Sequence, residues 1–156
     1  MAGTDKTQVQ VLRAAPIVVL VNPQLGENIG TAARAMANFG LNELRLVDPR
    51  DGWPNKKSFT TSSGAHWILE GAQVFESLAP ALADVNFVYA TTARPRDMIK
   101  EVITPEQAGI DMRARIERGE KLAILFGRER WGLNNDEISL ADIIVTAPVN
   151  PAFASL

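Results

Sequence analysis

Five short apolar runs constrain this chain more than any other feature: PIVVLV (16–21), ELRLV (43–47), NFVYA (86–90), KLAILF (121–126) and DIIVTA (142–147). They are rich in Val, Ile and Leu and closer to continuous than alternating, the pattern of strands covered on both faces. Helical patterns fill the intervals. Ile29, Ala32, Ala33 and Met36 fall at helical spacing, and Gly40 is placed to end that helix. Residues 71–84 (GAQVFESLAPALAD) read as a helix interrupted near Pro80. Residues 104–120 open with Thr104 as a cap, Pro105 in the first helical position and Glu106 next, and stop near Gly119. Residues 134–142 (NNDEISLAD) form a short helix with acids at its start, where the helix dipole favours them. Strands alternating with helices predict an α/β fold with a parallel sheet. Ligands in such folds gather beyond the carboxyl ends of the strands, here the loops after Val21, Ala90, Phe126 and Ala147.

At 156 residues and 46% hydrophobic, the chain is expected to form one domain over 16–156, preceded by a polar, flexible lead-in at 1–15. It contains no run of eighteen apolar residues and no apolar signal core. The absence of cysteine excludes disulfides and thiolate metal sites and fits a cytoplasmic protein. A formal charge of −2 confines any RNA or DNA site to a local basic patch.

The loop after the first run, VNPQLGENIGTAARAMANFG, resembles a phosphate cradle but fails both glycine templates. Gly26 and Gly30 are four apart, and Thr31 follows with no lysine. A plain reading makes the glycines a tight strand-to-helix turn and Arg34 a solvated helix residue. Against it, Gly30, Arg34 and Asn38 lie on one strip of the helix, where a bare Gly30 would leave Arg34 open toward the strand ends. Asn28 adds an amide at the start of that strip. TTARPRDMIK (91–100) offers two threonines and the cations Arg94, Arg96 and Lys100, read as a solvated basic loop or an RNA contact. In FGRERWGLNNDE (126–137), Gly127 allows close backbone approach, and flanking Arg128 and Arg130 are expected to keep Glu129 ionised. In APVNPAFASL (147–156), Pro148 and Pro151 forbid regular structure and leave backbone groups free for a ligand. His66, the single histidine, has no metal-spaced partners and reads as a packed or surface residue. No nucleophile triad can be drawn. Trp53 and Trp67 read as packing residues, and Trp131, between basic residues, is a candidate to stack on a base.

Together these loops resemble the SpoU family of SPOUT RNA methyltransferases. Three ordered motifs carry the resemblance: N-I-G-T-A-A-R-A-M-A-N-F-G (28–40), F-G-R-E-R-W-G-L-N (126–134) and P-V-N-P-A-F-A-S-L (148–156). The form of the third motif and the T-T-A-R loop are similar to the TrmJ-like branch, which modifies the tRNA anticodon loop. The resemblance implies a parallel α/β sheet with a C-terminal trefoil knot, an exception to the general absence of knots. The chain stops at Leu156 inside the third motif, so the knot-completing helix is expected to lie outside it.

The resemblance further implies an enzyme that carries methyl from S-adenosylmethionine to an RNA 2′-hydroxyl, acting as a homodimer on tRNA, with rRNA as the alternative substrate. Arg34 would be the principal catalytic residue, with Asn28, Glu129 and Ser155 in supporting positions. Cofactor contacts would fall on Thr91, Thr92, Ala93, Gly127, Ala147, Ala154, Ser155 and Leu156, and RNA contacts on Arg34, Asn38, Arg94, Arg96, Lys100 and Arg130; no metal is implied. Two rival readings compete with this one. A non-catalytic RNA-binding relative would not need Asn28, Arg34, Glu129 and Ser155 together, and a nucleotide-binding oxidoreductase domain would need the missing glycine fingerprint.

Overall fold

The computed structural model describes Asp5, Thr7 and residues 9–93 and 99–153. Its strands are β1 (Ile17–Val21), β2 (Leu44–Val47), β3 (Gln73–Phe75), β4 (Phe87–Thr91), β5 (Val102–Ile103), β6 (Leu122–Phe126) and β7 (Ile143–Val145). Its helices are α1 (Gly26–Asn38), α2 (Lys56–Thr61), α3 (His66–Glu70), α4 (Leu78–Ala81), α5 (Pro105–Glu117) and α6 (Asn135–Ser139), with a 3-10 turn at Pro151–Phe153. All strand pairs are parallel, in the order β3-β2-β1-β6-β4-β7-β5. Among the described residues, no helix is long and apolar enough to cross a membrane.

Each of the five apolar runs became a strand, and both faces of the sheet are covered. Val18, Leu44 and Leu46 pack with Ile29, Ala33 and Met36 of α1 and Ile68 of α3. Tyr89, Leu122, Ile143 and Val145 pack with Ala108 of α5. The alternate positions Val19, Ala90 and Leu125 meet Ala81 of α4 and Ile138 of α6. Trp53 and Trp67 pack against the α1 cluster, as expected. His66 is exposed, with Nε2 3.1 Å from the Phe59 carbonyl.

The helix expected over 71–84 is not there. Gly71 caps the short α3, residues 73–75 pair with β2 as an edge strand, and only 78–81 turn helically. Val74, Leu78, Ala81 and Val85 imitate helical spacing, but tertiary pairing with β2 overrides it. An unexpected ion pair between buried Arg45 and exposed Asp84 fastens this region. Arg45, 3% exposed in the middle of β2, donates to the Ala81 carbonyl at 2.7 Å and to Asp84 at 2.6 Å. The helix at 104–120 forms with a full capping box between Thr104 and Gln107.

Two elements without apolar periodicity, α2 and α3, complete the layer over β1 and β2. The first docks on α1 through missing side chains. A Cβ on Gly30 would lie 2.0 Å from Thr61 Oγ1 and 2.1 Å from the Ser58 carbonyl, and one on Gly26 would lie 2.5 Å from Asn55 Oδ1. The contact is sealed by Ser58 Oγ donating to the Gly26 carbonyl at 2.7 Å and Thr61 Oγ1 to the Glu27 carbonyl at 2.9 Å. Gly30 therefore does not open space beside Arg34, as its place on the strip suggested. It admits α2.

Gly30→Ala must push the α2 backbone away and should lower stability by about 1–3 kcal/mol. A Cβ added at Gly109 in α5 would meet nothing within 4 Å. Gly109→Ala should raise stability by about 0.5–1 kcal/mol through helix propensity alone. Urea denaturation midpoints of the two variants should move in opposite directions.

Candidate functional site

The strand order decides which loops meet. β1 has β2 on one side and β6 on the other, with Leu20 in register with Phe126. The loops leaving β1 and β6 at their carboxyl ends therefore share one edge of the sheet, where the chain changes winding direction.

Glu129, in the β6 loop, bridges that edge. Its carboxylate accepts from the Gln24 N–H at 2.8 Å, the Leu25 N–H at 3.1 Å and the Asn28 side-chain amide at 3.1 Å. The reason lies in α1. Its N-cap residue is Leu25, which has no side-chain acceptor; the Asn28 N–H is taken by the Leu25 carbonyl at 3.1 Å, and the Gln24 and Leu25 N–H groups, just before the helix, are taken by Glu129. Glu129 thus ties down the segment that enters α1 and places a negative charge where the dipole favours it. Burial opposes ionisation of Glu129, yet the amides of Gln24, of Glu129 itself, of Asn28 and of Leu25 hold its carboxyl below the usual range. The ionised state is the expected one, but its cause is different: backbone amides, not the flanking arginines.

Those arginines are used elsewhere. Arg128 forks onto Glu137 of α6 at 2.8 and 3.0 Å, and its Nε donates to Asn22 Oδ1 at 3.1 Å. Asn22, at a left-handed φ of 49° where asparagine is tolerated, in turn donates to the Asp48 carbonyl at 2.7 Å. Ends of β1, β2 and β6 and the start of α6 are thus tied by one chain of bonds. Gly127 makes the turn itself feasible. A Cβ there would lie 2.2 Å from the Gly132 carbonyl carbon and 2.3 Å from Leu133 N, so the close approach is made by the protein's own backbone.

On α1, Asn28, Arg34 and Asn38 are exposed. Arg34 forms no ion pair among the described residues, while Arg45, Arg115 and Arg128 all do. Arg130 is exposed, its guanidinium 5.1 Å from the Trp131 ring. The Lys100 ammonium donates to the Ala141 carbonyl at 2.6 Å and the Ser139 carbonyl at 3.3 Å, binding the carboxyl end of α6 where a cation suits the dipole. Beside the site lies a crevice of about 270 Å³ lined by Asp48, Glu76, Asp136 and Glu137 together with Arg128, which is paired with Glu137.

Around the ends of β4, β6 and β7, Thr91 spends its hydroxyl on the Leu125 carbonyl at 2.7 Å, leaving backbone groups as its means of contact. The Thr92 N–H reaches the Val145 carbonyl at 3.1 Å. Ala93 is exposed, and Gly127 and Ala147 are half-buried. Thr146, which sequence reasoning did not single out, has a buried hydroxyl oxygen with no hydrogen-bond partner among the described residues. No motif signalled it, because its burial depends on β5, whose Ile103 carbonyl accepts the Thr146 N–H at 3.0 Å. Arg94, Arg96, Ala154, Ser155 and Leu156 lie outside the described residues.

Residues 15–156 match the SpoU rRNA Methylase family. The chain is 38% identical over 139 residues to the tRNA (cytidine/uridine/adenosine-2′-O-)-methyltransferase TrmJ of Pseudomonas aeruginosa (strain UCBPP-PA14), covering 89% of this chain and 54% of that protein. Its fold superposes on the crystal structure of TrmJ from Z. mobilis ZM4 with a TM-score of 0.85 and 55% identity, covering 92% of this chain and 63% of that one. A probable methylase family protein from Haemophilus influenzae Rd KW20 gives 0.81 and 36%, covering 89% of this chain and 57% of that one. The chain thus spans little more than half the length of the curated relatives it matches.

Glu129→Ala leaves the Gln24 and Leu25 amides and the Asn28 side chain without their acceptor and should cost about 1–3 kcal/mol at pH 7. Because the folded-state pKa lies below the ordinary glutamate value, this contribution is present above about pH 4.3 and is lost as pH falls through the lower folded value. Glu129→Gln should therefore flatten the acid limb of a plot of unfolding free energy against pH, while leaving its neutral and alkaline limbs parallel to wild type.

Proposed function

The chain belongs to the SpoU rRNA Methylase family, and from that premise we propose that it transfers a methyl group from S-adenosylmethionine to a ribose 2′-hydroxyl of RNA. The substrate in this reading is tRNA, at a cytidine or uridine of the anticodon loop. The observation that carries the reading is the state of Arg34: exposed and without an ion pair among the described residues, on a helix whose start is fixed by Glu129. An exposed arginine without an ion pair is suited to an anionic ligand.

When bound, S-adenosylmethionine supplies an electrophilic methyl group on a sulfonium. Backbone groups of Thr91, Thr92, Ala93, Gly127 and Ala147 would hold it, joined by Ala154, Ser155 and Leu156. The orphaned Thr146 hydroxyl at the end of β7 fits such a site, because a buried polar atom without a partner favours a ligand that can bond to it.

The displacement is in-line, so alignment of the ribose provides much of the rate. The attacking 2′-oxygen loses its proton as its bond to the methyl carbon forms and the methyl–sulfur bond breaks, releasing the thioether S-adenosylhomocysteine. Arg34 cannot take that proton, since guanidinium stays protonated in proteins. It grips an RNA phosphate bidentately and stabilises negative charge developing on the 2′-oxygen. Glu129 is a poor acceptor because both its oxygens already accept amide hydrogens and its basicity is lowered. It is a positioning residue for α1, with Asn28 bonded to it, and the proton, strongly acidic once the oxygen carries the methyl group, passes to solvent. Arg130, Arg94, Arg96 and Asn38 complete the RNA contacts. Two paired copies form the active unit in this reading, which sedimentation of the protein tests directly.

Incubation with labelled S-adenosylmethionine and either bulk tRNA or rRNA, followed by nucleoside analysis, should yield 2′-O-methylnucleosides from tRNA. Their absence from both RNAs overturns the assignment. In single turnover with saturating RNA, Arg34→Ala should lose roughly 10²–10³ in rate, and Arg34→Lys should retain a measurable part of it. A lysine variant as inactive as alanine would rule out a role resting on charge alone.

A further inference from the structure

Of the three tryptophans, Trp53 and Trp67 are packed against the core, and Trp131 is 66% exposed. An indole is the most costly side chain to leave in water, because it has the largest apolar area to bury. This one is not left there by a slack loop. The turn that carries it is closed by the Arg128 N–H on the Gly132 carbonyl at 3.2 Å and the Gly132 N–H on the Arg128 carbonyl at 2.8 Å. Its base is locked by the backbone approach at Gly127, and Arg128 anchors it to Glu137 and Asn22. Two residues before the tryptophan, Glu129 binds the start of the helix that carries Arg34. A closed turn therefore presents an exposed aromatic ring, with the Arg130 guanidinium over one face, from the loop that follows β6.

The charges around it select the partner. Arg130 is exposed, with its guanidinium 5.1 Å from the ring. The neighbouring carboxylate, Glu129, has its oxygens engaged by amides. An aromatic face beside an accessible cation suits an unpaired nucleobase followed by its phosphate, the pairing on which single-stranded RNA recognition rests. An apolar protein surface would leave Arg130 desolvated without a counter-charge.

We infer that Trp131 is a stacking platform for an unpaired base of the RNA substrate, with Arg130 contacting the adjoining phosphate. The inference rests on the RNA methylation reading above. Stacking on a π-face is tolerant of base identity, so Trp131 would fix the position of the strand, and groups elsewhere would choose the base.

The test titrates the full chain with bulk tRNA and with a short unstructured pyrimidine oligoribonucleotide, following tryptophan emission and binding separately. RNA should quench wild-type emission. Trp131→Phe should abolish most of that quenching yet bind within about threefold of wild type, because a phenyl ring still stacks. Trp131→Ala should weaken binding roughly tenfold with the salt dependence unchanged, whereas Arg130→Gln should lower the slope of log affinity against log salt by about one. A merely structural role for Trp131 would alter none of these in that pattern. Quenching that survives in Trp131→Phe, or Trp131→Ala affinity equal to wild type, overturns the inference. So does a loss of sedimenting mass in Trp131→Ala with RNA affinity intact, which would make the ring a contact between copies of the chain. Failure of wild type to methylate any RNA would defeat the functional reading, and the quenching results would still decide whether Trp131 meets a base.

Discussion

The bonds from the Gln24 and Leu25 amides to the Glu129 carboxylate are the contact on which the proposed site depends. α1 begins on a leucine, whose side chain cannot cap it. The acceptor that holds the entry to the helix comes from more than a hundred residues along the chain, across the junction of β1 and β6. With Ile29, Ala33 and Met36 packed on the sheet, this contact fixes where α1 starts. Asn28 is bonded directly into it, and Arg34 stands two turns further along the same rigid element.

A second constraint acts from the opposite side. Gly26 and Gly30 let α2 approach α1 until hydroxyls of Ser58 and Thr61 bond to carbonyls of the helix. Gly127 performs the same service for the turn after β6. In all three places a glycine in a motif that suggests ligand binding is first a condition for the chain to pack on itself. Arg34, Asn38, Arg130 and Trp131 are exposed and form no ion pair among the described residues, Arg130 lying over the Trp131 ring. Lys100, from the basic loop, closes the end of α6 with its ammonium.

The sheet was largely legible in the sequence, because strands buried on both faces must be apolar nearly throughout, and Val19, Leu46, Ala90 and Leu125 are wholly or almost wholly buried. Two helices were legible for local reasons, the one after Thr104 from its cap, which lies within three residues of the amide it satisfies, and the short α6 from the acids in its first turn. Edge strands β3 and β5 were not legible, being three and two residues long and defined only by the neighbours they pair with. α2 was invisible to periodicity because KKSFTT has no apolar face; its helix is held by hydroxyl-to-carbonyl bonds to α1. Arg45 escaped attention for a similar reason, as its partner Asp84 is distant in the chain and lies in a segment whose spacing mimicked a single helix.

By itself, the sequence determined the fold class, the strands at the middle of the sheet and the motifs that place the chain in its family, because hydrophobic burial and local capping are written in neighbouring residues. Tertiary structure alone decided how each polar group at the strand ends is spent: Glu129 on helix amides, Arg128 on Glu137, Lys100 on the carbonyls of α6, Gly30 on a neighbouring helix. The physical reason is that a charged side chain carries no record in sequence of its partner. A parallel sheet brings loops from distant parts of the chain to one edge, and only that assembly settles which charges neutralise one another and which, like Arg34, stay exposed without an ion pair among the described residues.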